Sequence, residues 1–284
     1  MKILLFGGTG FIGRHLVAHL SQNGHNVVIV SRNKEHLEEL IPESESYGII
    51  NLAGESIQKS RWTKKQKEAI LTSRITVTRR IVTMISNVKQ KPEVFINASA
   101  VGYYGTSENR VYTEESPSGD EFLASVCLAW EKVALEASDF TRVVITRLGV
   151  VLGKDGGALP KMMLPYRFFA GGMVGSGKQW VPWVHIDDVT GLMRFILEKP
   201  LLSGPINVTA PSPLRMKDFS KVLSKTLKKP NLIPVPSFAL RLALGEMASL
   251  LLLGQRVTSK KAVDHGYRFH FPLLEEALKD LTGR

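Results

Sequence analysis

The chain has 284 residues, 44% of them apolar and 22% charged, with no low-complexity tract; this excludes disordered and fibrous classes and suits one large α/β domain with a smaller appended lobe. Its formal charge of +11, from 37 Lys and Arg against 26 Asp and Glu, admits nucleic acid, an anionic membrane or phosphorylated small molecules. The basic residues from Lys59 to Arg80 and from Lys217 to Lys229 are interleaved with apolar positions, as on solvated faces of amphipathic helices, so a nucleic-acid partner is not expected. The single cysteine, Cys127, excludes an intrachain disulfide and points to a reducing compartment.

Met1 to Phe6 is too short an apolar stretch for a signal peptide and reads as a buried strand. Further runs at Val27 to Ser31, Gly48 to Leu52, Val94 to Ala98 and Val143 to Leu148 suit strands buried on both faces. Helical patterns separate them: Phe11 to Asn23, closed by Gly24, and the long basic stretch Thr63 to Val88. This βαβ rhythm predicts an α/β fold, a Rossmann-type doubly wound parallel sheet. Between Val30 and Gly48 only a short helix, Lys34 to Ile41, is predicted, so one strand of the usual rhythm has been deleted.

After Gly153 the elements shorten and Gly and Pro become frequent. Residues 1–153 are therefore assigned to an NADP-binding domain, with core elements also contributed by 180–210, and residues 154–284 to a smaller substrate-side lobe. In that lobe Asp218 to Leu227, Phe238 to Leu253 and Leu273 to Leu281 read as helices and Leu232 to Val235 as extended. The apolar run Phe238 to Leu253 is broken by Arg241 and Glu246 and is too short to span a bilayer, so a soluble cytoplasmic chain with no membrane partner is expected. That helix could cover a core or meet a second subunit, which leaves a homodimer open.

Gly7-Gly8-Thr9-Gly10-Phe11-Ile12-Gly13 follows a strand and opens a helix, the context a dinucleotide fingerprint requires. Gly7 permits the turn, Gly10 the approach of a pyrophosphate to the helix N-terminus, and Gly13 close helix packing. The second strand ends in Ser31 and Arg32, where an acid would bind a free ribose hydroxyl; serine and arginine suit a 2′-phosphate, or Arg32 is a plain surface residue. NADP is accordingly the expected cofactor. Leu52, Ala53 and Gly54 leave room for it at the next strand exit, while Glu55 and Arg61 either reach the adenosine or substrate or are solvated loop residues.

Gly172 to Lys178 imitates a P-loop, but Gln179 follows where magnesium chemistry needs Ser or Thr, and the run beyond looks extended. Asp187-Asp188 reads as an N-cap for a helix from Val189 to Leu197, with His185 orienting the loop; no cluster has metal-ligand spacing, so no metal site is expected. Trp180 and Trp183 either stack on a ligand or pack between the lobes.

The glycine loop, the segment Ser99-Ala100-Val101-Gly102-Tyr103-Tyr104-Gly105, the strand exit Arg147 to Gly153 and Trp183-Val184-His185-Ile186-Asp187-Asp188 together resemble the extended short-chain dehydrogenase/reductase superfamily. They look most like its atypical "epimerase family" branch, whose chains carry a small C-terminal domain of unknown function, here expected as a helical unit over 236–284. The resemblance covers essentially the whole chain. It implies cofactor contacts from Gly7, Thr9, Gly10, Phe11, Ile12, Ser99 and Val150, and an oxidoreductase or epimerase acting on a small polar substrate.

The superfamily's catalytic Tyr-x-x-x-Lys is absent: Cys127 stands in the tyrosine place and Glu131 in the lysine place. Ala100 stands where the serine belongs, with Ser99 one residue away. Candidate catalytic groups are therefore Ser99, Tyr103, Cys127 and Glu131, the last two sharing a helix face. Against them stand an inert core cysteine and a glutamate paired with a base, and the corresponding rival function is an inactive NADP-sensing or interaction protein.

Overall fold

The computed structural model describes residues 1–284. Its central sheet has six strands, all parallel, running in space Gly204–Val208, Arg142–Leu148, Val94–Ala100, Tyr47–Asn51, Lys2–Phe6, Asn26–Val30. The predicted strands are all present, and the sixth comes from the segment assigned to 180–210. Side chains alternate across the sheet because the strand period is two. Ile3, Leu5, Ile50, Val94, Ile96 and Val144 face the Phe11–Gln22 and Ile186–Glu198 helices. Leu4, Phe6, Tyr47, Ile49, Phe95 and Val143 face the Lys64–Asn87 helix on the other side. Both faces are thus covered, which is why these strands read as continuous apolar runs.

Asn26–Val30 is an edge strand, so the chain passes from it straight to Tyr47–Asn51 without the outer strand of the usual six-stranded order, as the short interval predicted. The helix predicted at Lys34 to Ile41 shrinks to a single 3-10 turn, Glu38–Leu40. Neither Lys34 nor Glu35 carries an apolar face, and only Leu37 is buried there, too little to hold a longer helix.

The predicted helix from Phe238 to Leu253 is broken into Ser237–Leu244, a 3-10 turn Gly245–Ala248 and Ser249–Leu252. The break falls at Gly245, whose φ of 60° is left-handed. Leu232 to Val235 is extended and runs beside residues 171–175, with Leu232 and Ile233 donating to Gly171 O and Val235 bridging to Val174. The remaining lobe helices, Leu159–Arg167, Met216–Leu227 and Leu274–Thr282, enclose a separate apolar core containing Trp183 and Phe219.

The C-terminal segment is tied back to the rest of the fold at two places. Arg256–Val257 pairs in parallel with Val111–Tyr112. Asp188, fully buried, accepts hydrogen bonds from the backbone N–H groups of His270 (2.7 Å) and Phe271 (3.0 Å). The predicted N-cap role of Asp187 and Asp188 is thereby corrected: the helix starts earlier, at Ile186, and the side chain of His185 caps it by accepting from Asp187 N at 3.1 Å. No helix is long and apolar enough to cross a membrane.

Candidate functional site

The glycine loop lies where strand order reverses, between Lys2–Phe6 and Tyr47–Asn51, the crevice in which open α/β sheets bind ligands. Gly7 has φ 79°, and a Cβ there would sit 2.7 Å from the carbonyl carbon of Leu52, so the loop is pressed against the next strand exit. At Gly13 a Cβ would lie 2.3 Å from the Gly7 carbonyl oxygen, which binds the first helical turn to the loop. At Gly10 a Cβ would meet only that same oxygen, at 3.3 Å. Packing within the chain therefore does not explain Gly10. The helix it opens has no side-chain N-cap bond and no acid in its first turn, leaving its N–H groups and positive dipole end for an anion.

Thr9 and Gly10 are exposed, and the Thr9 carbonyl accepts from Arg14 at 3.1 Å. Phe11 is half-buried, its ring clamped by the backbones of Gly153, Gly156 and Gly157, while Ile12 packs into the core. Val150 donates its N–H to Pro182 O at 2.7 Å. Ser31 and Arg32 are exposed at the end of the edge strand. Arg80 holds that turn by donating to the carbonyls of Arg32 and Lys34, and the exposed Arg32 guanidinium makes no hydrogen bond or ion pair within the chain.

Beneath Ala53 sits a buried polar network with no precedent in the sequence reading. Asn51 donates to Asn97 Oδ1 (2.8 Å) and Thr78 Oγ1 (3.0 Å), Trp130 donates to Thr78 (2.8 Å), and Asn51 Oδ1 accepts from Ala53 N (3.1 Å). It fixes the strand exit over which a cofactor would pass. Gly54 lies against the Arg74 guanidinium, which donates to Glu55 O. Glu55 itself pairs with Lys59. Arg61 turns away from the glycine loop and donates to the carbonyls of Leu242 and Ala243, at 2.9 and 2.6 Å, at the end of a C-terminal helix. Of the two loop residues predicted to reach adenosine or substrate, Arg61 is thus engaged as a tie between domains.

The candidate catalytic residues converge at the ends of Val94–Ala100 and Arg142–Leu148. Ser99, 2% exposed, donates to Glu131 Oε1 at 2.6 Å. Glu131, on the Phe122–Leu135 helix, is held in a two-point ion pair by Arg147, Nε to Oε1 at 3.0 Å and Nη2 to Oε2 at 2.8 Å. Arg147 is the register partner of Ser99 across the sheet; it also donates to Tyr104 Oη (2.9 Å) and lies 3.6 Å over the Tyr103 ring. Tyr104 in turn donates to Asn207 at 2.6 Å, and burial pushes its phenol up to about 12.

Cys127 does not join Glu131 as a reactive pair. It is fully desolvated, and burial first, then the Glu131 charge, pushes the thiol up to about 11, so the thiolate needed for nucleophilic or base chemistry is scarce. We expect reaction with an aromatic disulfide at pH 8 to be negligible in the native chain and complete after unfolding, read as absorbance of the released thiolate. Rapid labelling of the folded protein would contradict this assignment.

Arg147 is a site residue that the strand-exit motif alone does not mark. The signal was available: a guanidinium in a strand buried on both faces requires a partner, and Glu131 was the unpaired acid one element away.

Trp183 is fully buried and donates to Ser212 O, so it packs in the lobe core; the guanidiniums of Arg215 and Arg256 both lie against the Trp180 ring, 4.6 and 4.9 Å from its centroid. The P-loop-like stretch leads into the strand Trp180–Val181 and not into a helix. His185, Asp187 and Asp280 do approach one another, with His185 Nε2 3.2 Å from Asp280. The Nδ1 lone pair, however, accepts the Asp187 N–H, so the neutral ring carries its proton on Nε2 facing the carboxylate and offers a metal no free nitrogen.

Residues 3–208 match the NAD dependent epimerase/dehydratase family and residues 235–281 a domain of unknown function. The chain is 45% identical over 299 residues to the epimerase family protein YfhF of Bacillus subtilis, covering 99% of this chain and 98% of that protein. It is 38% identical to mouse epimerase family protein SDR39U1, covering 99% and 100%. The crystal structure of human SDR39U1 with NADPH superposes with a TM-score of 0.93 at 36% identity, covering 100% of both chains. The UDP-glucuronic acid 4-epimerase of Bacillus cereus, at 18% identity and a TM-score of 0.78, shares the fold.

Proposed function

The chain belongs to the NAD dependent epimerase/dehydratase family, and from that premise we propose that it is an NADP(H)-dependent oxidoreductase or epimerase-like enzyme acting on a small polar substrate. The observation that carries the cofactor half is the unengaged Arg32 guanidinium beside Ser31, at the end of an edge strand whose neighbour is missing. It suits a 2′-phosphate. The residues fit the rest of the dinucleotide: the uncapped helix opened by Gly10 would take the pyrophosphate, and Ala53 and Gly54 would line the adenosine path. The NADPH bound by human SDR39U1 supports the same choice.

Bound nicotinamide would supply hydride exchange with the substrate carbon. This chain's part is the proton. Ser99 Oγ already donates to Glu131 and retains lone pairs to accept from a substrate hydroxyl, so a proton taken up by Ser99 is matched by the one it passes to Glu131. Arg147 balances the Glu131 charge, and the half-buried Tyr103 under that guanidinium completes the wall. Cys127 serves as packing.

One observation favours a second reading, an NADP-sensing protein without turnover: Ser99 and Glu131 are 2% and 5% exposed and bonded to each other, with Glu131 also held at two points by Arg147. Titration with NADPH, followed by incubation with a panel of aldehydes, sugars and quinones, separates the two. Turnover abolished by Ser99→Ala with NADPH binding kept supports the enzyme, binding without turnover supports the sensor, and no binding sinks both. Arg32→Gln is expected to weaken NADPH roughly 10- to 100-fold while leaving NADH affinity unchanged, since only the phosphate contact is lost. Equal losses for the two cofactors in a fluorescence titration would remove Arg32 from the site.

A further inference from the structure

The substrate-side lobe exposes apolar side chains that nothing in the fold uses. Leu164 and Phe168 lie one turn apart at the end of the Leu159–Arg167 helix, 51% and 75% exposed, followed by Phe169 at 60%. Phe238 and Leu242 form a second i,i+4 pair, 74% and 79% exposed, on a helix that buries no residue at all. The two are joined through the extended segment between them: Leu232 and Ile233 donate their N–H groups to Gly171 O, and Leu232 is itself 77% exposed. An isolated eight-residue helix is not stable in water, and one with its apolar side turned to solvent asks for an apolar medium.

The charge around this surface selects the medium. From Gly156 to Ile186 and from Phe219 to Gly245 there is no Asp or Glu, while Lys161, Arg167, Lys178, Lys221, Lys225, Lys228, Lys229 and Arg241 fall within these stretches. Of those eight only Lys225 forms an ion pair, with Glu275, and Lys229 lies 3.7 Å over the Phe169 ring. A second copy of a chain with net charge +11 would bring like charge against like. Protruding aromatic and leucine tips ringed by unpaired cations are instead the pattern that lies in the headgroup layer of an anionic bilayer.

We propose that this face docks peripherally on anionic lipid surfaces, with Phe168 and Phe238 inserted among the acyl chains and Arg167, Lys228 and Arg241 on the phosphates. This is surface attachment, distinct from crossing the bilayer, and it does not depend on the reaction catalysed. The test is co-sedimentation of the full-length protein with vesicles of phosphatidylcholine alone or containing phosphatidylglycerol. Binding is expected only to the latter, lost at high salt. Phe168→Ala/Phe238→Ala should weaken it at least ten-fold with Tm and NADPH titration unchanged, and Arg167→Gln/Lys228→Gln should do the same at low salt, at roughly five-fold per cation.

Absence of binding to both vesicles overturns the proposal, as does equal binding to neutral and anionic ones. It is also overturned if the phenylalanine variant leaves binding intact, or if sedimentation shows a dimer or a complex with an acidic protein that the same variant dissolves.

Discussion

Replacing Arg147 with methionine is expected to destabilise the chain by about 3–5 kcal/mol, a fall in Tm of roughly 10 °C for a domain of this size. The cause is not the loss of a favourable ion pair as such. Taking two charges out of water is costly, and Arg147 and Glu131 are 4% and 6% exposed, so the pair is tolerated because each charge is met at two points. Removing one partner leaves Glu131 buried with only the Ser99 hydroxyl. The double variant Arg147→Met/Glu131→Met should therefore recover much of the loss, because an apolar pair of similar volume needs no solvation. Thermal unfolding of the four members of this cycle checks it. If the double variant is as unstable as the sum of the singles, the two residues are not coupled and the site has been assembled wrongly.

The second large effect concerns the glycine loop, where two substitutions of the same size should part company. Gly13→Ala places a methyl 2.3 Å from the Gly7 carbonyl oxygen and 2.7 Å from Gly8, both backbone, so the helix must move off the loop. Stability and NADPH affinity should both fall. Gly10→Ala meets only one atom of the protein, at 3.3 Å, and lies at a helix N-cap with φ −73°, which alanine adopts freely. Tm should hold within about 1 °C while NADPH affinity drops about 100-fold, or ~2.7 kcal/mol, because the methyl occupies the path of the pyrophosphate. Retention of NADPH binding by Gly10→Ala would place the dinucleotide elsewhere.

Much of this architecture was legible because the physics that writes it is periodic or local. Strands covered on both faces must be apolar throughout, and Ile3 to Phe6, Ile49, Ile50 and Val143 to Ile145 are; a turn that crosses backbone on backbone must be glycine, and Gly7 is. What was missed depends on partners distant in sequence. Lys34 to Ile41 has helical propensity but nothing to bury against, so it collapses to one turn. Phe238 to Leu253 has an apolar content fit for one helix, yet Gly245 ends it and the chain reverses. Asp188 looked like a cap because caps are local, whereas its partners lie 82 and 83 residues away. Arg61 likewise meets carbonyls 181 and 182 residues on. Cys127 and Glu131 were placed correctly on one helix face, but burial and Arg147, neither visible in their spacing, decide their chemistry.

The return of the C-terminal segment to the sheet has a consequence for biosynthesis. Gln255 donates to Val101 O, Gly254 O accepts from Ser107, and Thr258 O accepts from Asn207. The wall beside Tyr103 and Tyr104 is therefore sealed by residues synthesised only after all six strands. A nascent chain can form the glycine loop and all six strands while this wall is still open, and loop closure over some 150 residues is slow. Closure of this wall should then lag behind formation of the sheet, and a chain ending after residue 235 should expose Tyr104 and Tyr112, which pack against Val257, to dye binding even where its sheet is complete.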